Sequence, residues 1–474
     1  MLKKFIALFG AQDMTVGGPF MCLLKFSVPL LIGNIAQMLY FTIDSIVVGK
    51  YMGDAALAAI GVSSPIQNLF LVFFMAIGSG VTVMVAQYFG AKDFRNVGGT
   101  IGNSITLIII MSVLITAVAT PLSAAMLRAV ATPPETFDMA KIYLEILFIG
   151  TAGNGFYNIL AGILRGLGES VFPLAVLLVS VLLNAGLEIW FVAGLGWGMP
   201  GAAWATVIAQ TVSAAACLFK ILRMRSIVKI EPGMLKLRRG IVRHIVRLGV
   251  PTGLSMGVMF FATIIVQSLI NSMGYLVTAA ITAMFRLDGF AVLPSQTFSM
   301  SASTFTGQNI GAGKMDRVKK GTWTVFYMCL VFTVTMVACM LIFGRHLLGL
   351  FTTTESVIDM GMGFIQVMVA GYIAMVVSNT FSGVMRGAGD SMGPMWISIA
   401  TNVILRVPLS YGIAHFTKSA AHPNGDPNSP FIALSAAIIL GALITIIYYR
   451  KGNWRNKSIV QPRQSALPEA EATA

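Results

Sequence analysis

The chain has 474 residues, of which 56% are hydrophobic and only 11% are charged. Soluble domains carry about 25% charged residues, so this composition excludes a soluble enzyme, a disordered chain and a disulfide-stapled secreted module. The net charge of +14 is typical of a membrane protein with basic cytoplasmic loops, and it does not indicate nucleic-acid binding. The apolar runs are too long for barrel strands, which alternate over about 10 residues. We therefore expect an all-α polytopic membrane protein.

Twelve apolar segments are long enough to cross a bilayer, which takes about 20 helical residues. In chain order they are 26–49, 55–88, 99–120, 139–164, 171–193, 200–222, 248–272, 276–308, 321–343, 358–385, 392–414 and 430–449. Several are longer than a straight crossing needs, which predicts tilted or kinked helices. A further short apolar run, Phe5 to Gly10, predicts an interfacial helix ahead of the first span.

Basic residues concentrate in alternate loops, and this bias predicts the orientation of the chain. With a cytoplasmic N-terminus, the inner side holds most of the loop bases, including those of the segment 223–247 and the tail 451–474. Cytoplasmic loops of membrane proteins carry such an excess of Lys and Arg. We expect a multi-pass protein of the plasma membrane, with both termini cytoplasmic, a basic linker at 223–247 and a disordered tail at 451–474.

An internal repeat divides the chain into two halves. Residues 86–97, AQYFGAKDFRNV, match 307–318, GQNIGAGKMDRV, at an offset of 221 residues. The same offset relates the RGLGES sequence that starts at Arg165 to the RGAGDS sequence that starts at Arg386. Several ordered matches at one offset indicate duplication of a six-helix unit.

The two predicted lobes are residues 1–222 and 248–450. Because six is an even number, both copies have the same orientation, which makes this a parallel repeat. Such duplicated bundles place a substrate cavity between their lobes, near the membrane midplane. The repeat therefore favours a transporter over a channel or an enzyme, and no HExxH motif is present to support an enzyme.

Ionisable side chains within the spans are the functional candidates, because a charge at membrane depth is costly. Asp44 in span one has Tyr40 four residues before it and Gln37 seven before it, which places them on one helix face, with Asn34 near the same side. An alternative is that water near the outer end satisfies Asp44; the continuous polar stripe disfavours it.

Glu188 in span five follows Asn184 by one helical turn, so these two side chains share a face. Two carboxyls that face one cavity, Asp44 and Glu188, would share protons, as a proton-coupled transporter needs. With Asn184 they would instead offer oxygen ligands for Na⁺. The sequence leaves this alternative open.

The second half breaks the symmetry of the charges. Asp44 corresponds approximately to Ile265, and Glu188 corresponds to Arg406. Span eight adds Arg286 and Asp288. Two interpretations remain open: a buried pair of Asp288 with either arginine, formed for packing, or a role of these residues in substrate binding or gating.

The sequence resembles the multidrug and toxic compound extrusion (MATE) family of cation-coupled efflux transporters over residues 20–450. The resemblance is carried by Pro29, Asn34 and Asp44, and by ALAAIGVSSP, AQYFGAKD, ILRGLGES, LLNAGLEIW, MPGAAWAT, TGQNIGAGKMDRV and MRGAGDSMGP. It implies two six-helix lobes around a central cleft in a V-shaped bundle.

The resemblance also implies a cation site in the N-terminal lobe. Carried over to this chain, its members are Tyr40, Asp44, Asn184, Glu188 and Thr206, with Asn154 and Asn158 lining it. The chain departs from the family where an Asp followed by Pro is common, since Glu188 is followed by Ile189. Span seven has no acid between Pro251 and Val266, which favours coupling through the N-terminal lobe.

We therefore expect a secondary antiporter that exports organic, cationic and amphipathic compounds in exchange for H⁺ or Na⁺. The alternative is a flippase for a lipid-linked saccharide precursor, which twelve spans and few cavity bases disfavour. The expected partners are small molecules and the bilayer. We expect no cofactor, no nucleic acid and no stable oligomer. Asn34, Gln37, Asn154, Asn158, Arg286, Asp288 and Arg406 are the candidate cavity residues.

Overall fold

A computed structural model describes residues 12–224, 227–228, 231–420 and 422–460, and the regular structure of these residues is helical. The interfacial helix predicted at Phe5 to Gly10 and the last part of the predicted tail, 461–474, lie outside the described residues. Eleven helices in the described part are long and apolar enough to cross a membrane, and one bent pair makes a twelfth crossing. The predicted twelve-span, all-α fold is confirmed.

The first lobe contains six crossings, two of which are irregular. They are α1 (Pro19–Met52), α2 (Asp54–Gly90), α3 (Phe94–Ala129), α4 (Pro134–Ile149 and Thr151–Gly166), α5 (Val171–Gly194) and α6 (Met199–Arg223). The two parts of α4 meet at Gly150 with a bend of 51°. The last six residues of α5, Ile189–Gly194, form a π-helical segment that begins directly after Glu188.

The second lobe repeats this order. Its crossings are α7 (Arg239–Ser272), α8 (Tyr275–Gly311), α9 (Met315–Gly349), α10 (Glu355–Gly387), α11 (Met392–Phe416) and α12 (Ser429–Lys451). Within α11, residues Ala400–Leu405 form a π-helical segment that ends directly before Arg406. Each lobe thus has one π-helical segment in its fifth crossing, next to an ionisable side chain.

The structure corrects two predicted boundaries. Helix α7 begins at Arg239, so the linker predicted at 223–247 ends at residue 238, because the helix continues past the apolar segment into its basic end. The tail predicted to be disordered from residue 451 forms a 3₁₀ turn at Trp454–Asn456. The buried Trp454 ring stacks on Tyr449 at 4.9 Å, and its indole N–H donates to the Tyr449 carbonyl at 2.7 Å. One aromatic anchor therefore outweighs the polar composition of this segment.

The two lobes meet where α2 and α8 cross at the end of the bundle that carries the basic loops. A Cβ atom added to Gly90 would collide with the Gln308 carbonyl, and one added to Gly311 would collide with the Gln87 carbonyl. The helices therefore touch backbone to backbone, which only glycine permits here. Both glycines belong to the repeated sequence, at the offset of 221 residues.

Two glutamine side chains complete this contact by exchanging hydrogen bonds between the lobes. Gln87 of α2 donates to the carbonyl of Gly387 at the end of α10, at 2.9 Å. Gln308 of α8 donates to the carbonyl of Gly166 at the end of α4, at 3.0 Å. We call Gln87, Gly90, Gln308 and Gly311 the crossing residues. All of the crossing glutamine and glycine positions are buried.

A segment from each end of the described chain binds to one crossing glutamine. The backbone N–H of Met14 donates to the Gln308 side chain at 2.9 Å, and the backbone N–H of Ile459 donates to the Gln87 side chain at 2.9 Å. Lys457 also forms an ion pair with the buried Asp390 at 3.1 Å. These segments make the basic end of the bundle a closed, hydrogen-bonded surface.

The close crossing of α2 and α8 generates a prediction. Gly90→Ala should lower the unfolding temperature of the purified protein, because an added methyl group pushes α8 away at a cost of about 1–3 kcal/mol. Tryptophan fluorescence during heating in detergent measures it.

Gly61→Ala in the same helix is the control, since a Cβ there meets no atom within 4 Å. It should leave the unfolding temperature unchanged or raise it, because alanine favours a helix over glycine by about 1 kcal/mol. Equal effects of the two substitutions would contradict a backbone contact at Gly90.

Candidate functional site

Two buried carboxyl groups face each other inside the first lobe. Asp44 comes from α1 and is 5% exposed, and Glu188 ends the α-helical part of α5 and is 0% exposed. The two carboxyls lie within hydrogen-bonding reach of each other. In the described part of the chain, no N–H or O–H group donates to Oδ1 of Asp44 or to either oxygen of Glu188. Two such groups can remain in contact only when a proton or a cation lies between them.

Polar side chains from α1, α5 and α6 surround this pair. Asn184 lies one turn before Glu188, and its side-chain N–H donates to the hydroxyl of Thr206 in α6 at 3.3 Å. The buried phenol of Tyr40, one turn before Asp44, lies near Thr206. The structure therefore brings together the five residues that the sequence predicts for the cation site. We call these five the carboxyl cluster.

Tyr143 joins the carboxyl cluster from α4, and the sequence analysis missed it. It is buried on the first part of α4 and lies within electrostatic range of Asp44, Tyr40 and Glu188. An aromatic side chain in an apolar span is typical of packing, so the residue type carried no signal. The nearby Glu145 instead makes an ion pair with Lys141 at 3.9 Å.

The structure places the other predicted cavity residues of the first lobe in separate contacts. Asn34 donates to the hydroxyl of Thr297 in α8 at 2.7 Å, so it joins the two lobes. Asn158 donates to the side-chain oxygen of Asn154 at 2.6 Å, within the second part of α4. Gln37 is half-buried on α1. The carboxyl cluster is thus smaller than the predicted polar lining.

The second lobe contains a different polar cluster around Arg406. This side chain is 7% exposed, and its Nη1 donates to the hydroxyl of Thr263 at 3.2 Å. Its Nε has no hydrogen-bond partner among the described residues. Asp288 attracts Arg406 from beyond ion-pair distance and accepts a hydrogen bond of 2.7 Å from Tyr372. Arg286 is exposed, so of the two arginines considered, Arg406 is the one that faces Asp288.

The two repeated glycine turns, in the RGLGES and RGAGDS sequences, have a structural role. Gly168 and Gly389 adopt φ values of 83° and 97°, which glycine accepts without strain. Glu169 accepts backbone N–H bonds from the start of α5, and Asp390 accepts one from the start of α11. Within the described residues, no group of three His, Cys, Asp or Glu side chains comes together as metal ligands.

Twelve crossings in two parallel repeats, with one buried carboxyl pair between helices, define a polytopic membrane transporter built from a duplicated six-helix unit. The MatE family profile matches the chain twice, over residues 29–190 and 251–412. The chain belongs to the MatE family, and it is a multi-pass membrane transporter rather than an enzyme. The two matched segments coincide with the two halves of the internal repeat.

Individual relatives cover almost the whole chain. The "Probable multidrug resistance protein YpnP" of Bacillus subtilis is 28% identical over 445 residues, which are 94% of this chain and 98% of that protein. The "Multidrug export protein MepA" of Staphylococcus aureus is 22% identical over 388 residues, or 81% of this chain and 85% of that protein. A solved MOP-superfamily transporter from Pyrococcus furiosus has a TM-score of 0.85 and 23% identity, and the match covers 93% of this chain and 97% of that chain.

The Arg406 cluster generates a stability prediction. Asp288→Asn should lower the free energy of unfolding, because it leaves a buried guanidinium without its facing negative charge. The loss of stability is measured as a decrease in the unfolding temperature of the purified variant.

The double variant Asp288→Asn with Arg406→Met is the matched control, since it removes the stranded charge as well. It should recover part of the lost stability, which makes the two substitutions non-additive. Additive losses would show that Asp288 and Arg406 do not interact.

Proposed function

We propose that this transporter is an antiporter that exports organic, cationic and amphipathic compounds, and that inward flow of a coupling ion drives it. The contact between Asp44 and Glu188 carries the proposal. Two relatives are named as a probable multidrug resistance protein and a multidrug export protein, and these names support export of small organic molecules. The site lies in the first lobe, between α1, α5 and α6.

The exchange works as an electrostatic competition at the carboxyl cluster. When both carboxyls are ionised, their combined charge attracts a cationic substrate into the lobe. When a coupling ion binds between them, that charge falls, the substrate loses its counter-charge and leaves. The two ligands need not touch the same atoms, because the buried charges act on each other over several ångströms in a medium of low dielectric.

H⁺ is the coupling ion that the geometry of the carboxyl cluster favours. Two carboxyls within hydrogen-bonding reach of each other have room for a shared proton, whereas Na⁺ requires several oxygen ligands arranged around it. The side-chain N–H of Asn184 donates to Thr206. The Asn184 oxygen is therefore not used in this contact and could serve as a Na⁺ ligand. Na⁺ coupling through Asp44, Glu188 and the Asn184 oxygen remains the alternative outcome of the transport experiment.

The proposed orientation places the closed, basic end of the bundle in the cytoplasm, with both termini inside and the protein in the plasma membrane. Basic loops support this direction. The interlobe hydrogen bonds of the crossing residues, and those of Ser27 and Asn34, lie in the half of the bundle toward this end. Asp44 lies further than Asn34 from the basic end of α1. Ions that enter from the outside would therefore reach Asp44 before they reach Asn34.

The proposal predicts that Asp44→Asn abolishes ion-driven efflux. The neutral amide keeps the size of the side chain but cannot exchange a proton for a cationic substrate. The measurement is dye export from proteoliposomes under an imposed pH gradient, with a Na⁺ gradient in a parallel sample. We expect wild-type export to follow the pH gradient.

Glu145→Gln is the control variant, because it removes a carboxylate from the same lobe outside the cluster. It should transport at the wild-type rate. Full efflux by Asp44→Asn would overturn the assignment of the site, and export that follows only the Na⁺ gradient would overturn H⁺ coupling.

A further inference from the structure

A groove of about 820 Å³ runs between α7 and the start of α11, outside the carboxyl cluster. Its walls change character along α7. Arg239, Arg243 and Arg247, with Val242 and Val246 between them, line the part next to the start of this helix, and only apolar residues such as Val250 and Leu254 line the part further along it. Because α7 starts at the basic end of the bundle, the charged part of the groove lies at the membrane surface and the apolar part lies at membrane depth.

The three arginines form one stripe. They are four residues apart, which puts them on one face of the helix with a rise of about 6 Å from each to the next. All three are exposed, and none belongs to an ion pair of the described residues. Exposed guanidinium groups at this spacing offer several N–H donors to one phosphate-bearing group.

The first turn of α7 adds to the positive charge of the three arginines. It contains no acidic side chain, and no side chain caps its backbone N–H groups. The start of a helix carries a partial positive charge that attracts anions. The opposite face of α7, at Ile245 and Gly249, packs tightly on α2, so the arginine face is the one turned away from the bundle.

The internal repeat shows that this stripe is not required by the fold. At the offset of 222 that relates Pro29 to Pro251, Arg243 corresponds to Met21 and Arg239 to Gly17, and only Arg247 has a basic counterpart, Lys25. The equivalent helix α1 thus forms with one basic residue in place of three. The arginines of the stripe therefore need a reason other than the packing of a six-helix lobe.

We infer that the groove between α7 and α11 binds one anionic glycerophospholipid, with its phosphate group on the arginine stripe and an acyl chain along the apolar wall. A ligand that fits must be negative at one end and hydrocarbon at the other. A phospholipid of the adjacent leaflet has this polarity and already lies in the required direction. Neutral lipids lack the net charge that three unpaired arginines attract.

Native mass spectrometry of the delipidated full chain in detergent tests this site. Phosphatidylglycerol or phosphatidylcholine is added at equal concentration, and the fraction of protein that carries one lipid is measured. The wild-type protein should retain phosphatidylglycerol several-fold better than phosphatidylcholine. The triple variant R239Q/R243Q/R247Q should retain the two lipids equally.

The variant K320Q/R450Q/K451Q is the matched control, since it removes the same charge from exposed bases outside the groove. It should keep the wild-type preference. Val250→Trp should also reduce retention of phosphatidylglycerol, because the indole fills the apolar wall while the arginines remain. This single substitution keeps the test valid if the triple variant fails to fold.

Inorganic phosphate separates a lipid site from a site for small anions. It should not displace bound phosphatidylglycerol, since it gains nothing from the apolar wall. Displacement by phosphate, equal lipid preference of the wild type, or unchanged preference in both groove variants would each overturn the inference.

Discussion

The crossing of α2 and α8 without intervening side chains is the constraint on which the rest of this molecule depends. Gly90 and Gly311 bring the two backbones together, and Gln87 and Gln308 then reach across to carbonyl groups of the opposite lobe. The bonds are buried, so breaking them without replacement would leave unsatisfied polar groups in an apolar medium. The lobes are therefore joined firmly at one end.

The buried carboxyl pair lies inside one lobe and is separate from the contact between the lobes. Asp44 and Glu188 lie on helices of the same lobe, away from the crossing residues. The π-helical segment that follows Glu188 shifts the register of α5 at the point where the side chain must face α1. Such segments are frequent at functional sites. In the second lobe, the π-helical segment of α11 instead precedes its ionisable residue, Arg406. That residue is positively charged, whereas Glu188 is acidic.

The features that repeat along the chain or follow helical spacing could be predicted from the sequence. Twelve crossings follow from apolar length, the duplication from the matched motifs, and the five-residue carboxyl cluster from one-turn spacing combined with the family resemblance. Sequence reasoning missed Tyr143, whose role depends on which helix packs beside α1. It also missed the partner of Asn34 and the buried anchor Trp454, because contacts between distant segments leave no local pattern. Which arginine faces Asp288, Arg286 or Arg406, likewise depends on how α8 and α11 are turned about their own axes, and the sequence does not give that orientation.

The exchange of hydrogen bonds by Gln87 and Gln308 has the form of an isologous interface. In a twofold homodimer, a contact from residue i to residue j is repeated from j to i, and here the donor and the acceptor recur at the same offset of 221 residues. A six-helix unit could therefore have assembled with a second copy of itself through these same groups. Fusion of two copies into one chain frees each half to change alone. The crossing residues keep the symmetry that assembly needs, while Glu188 and its counterpart Arg406 have diverged.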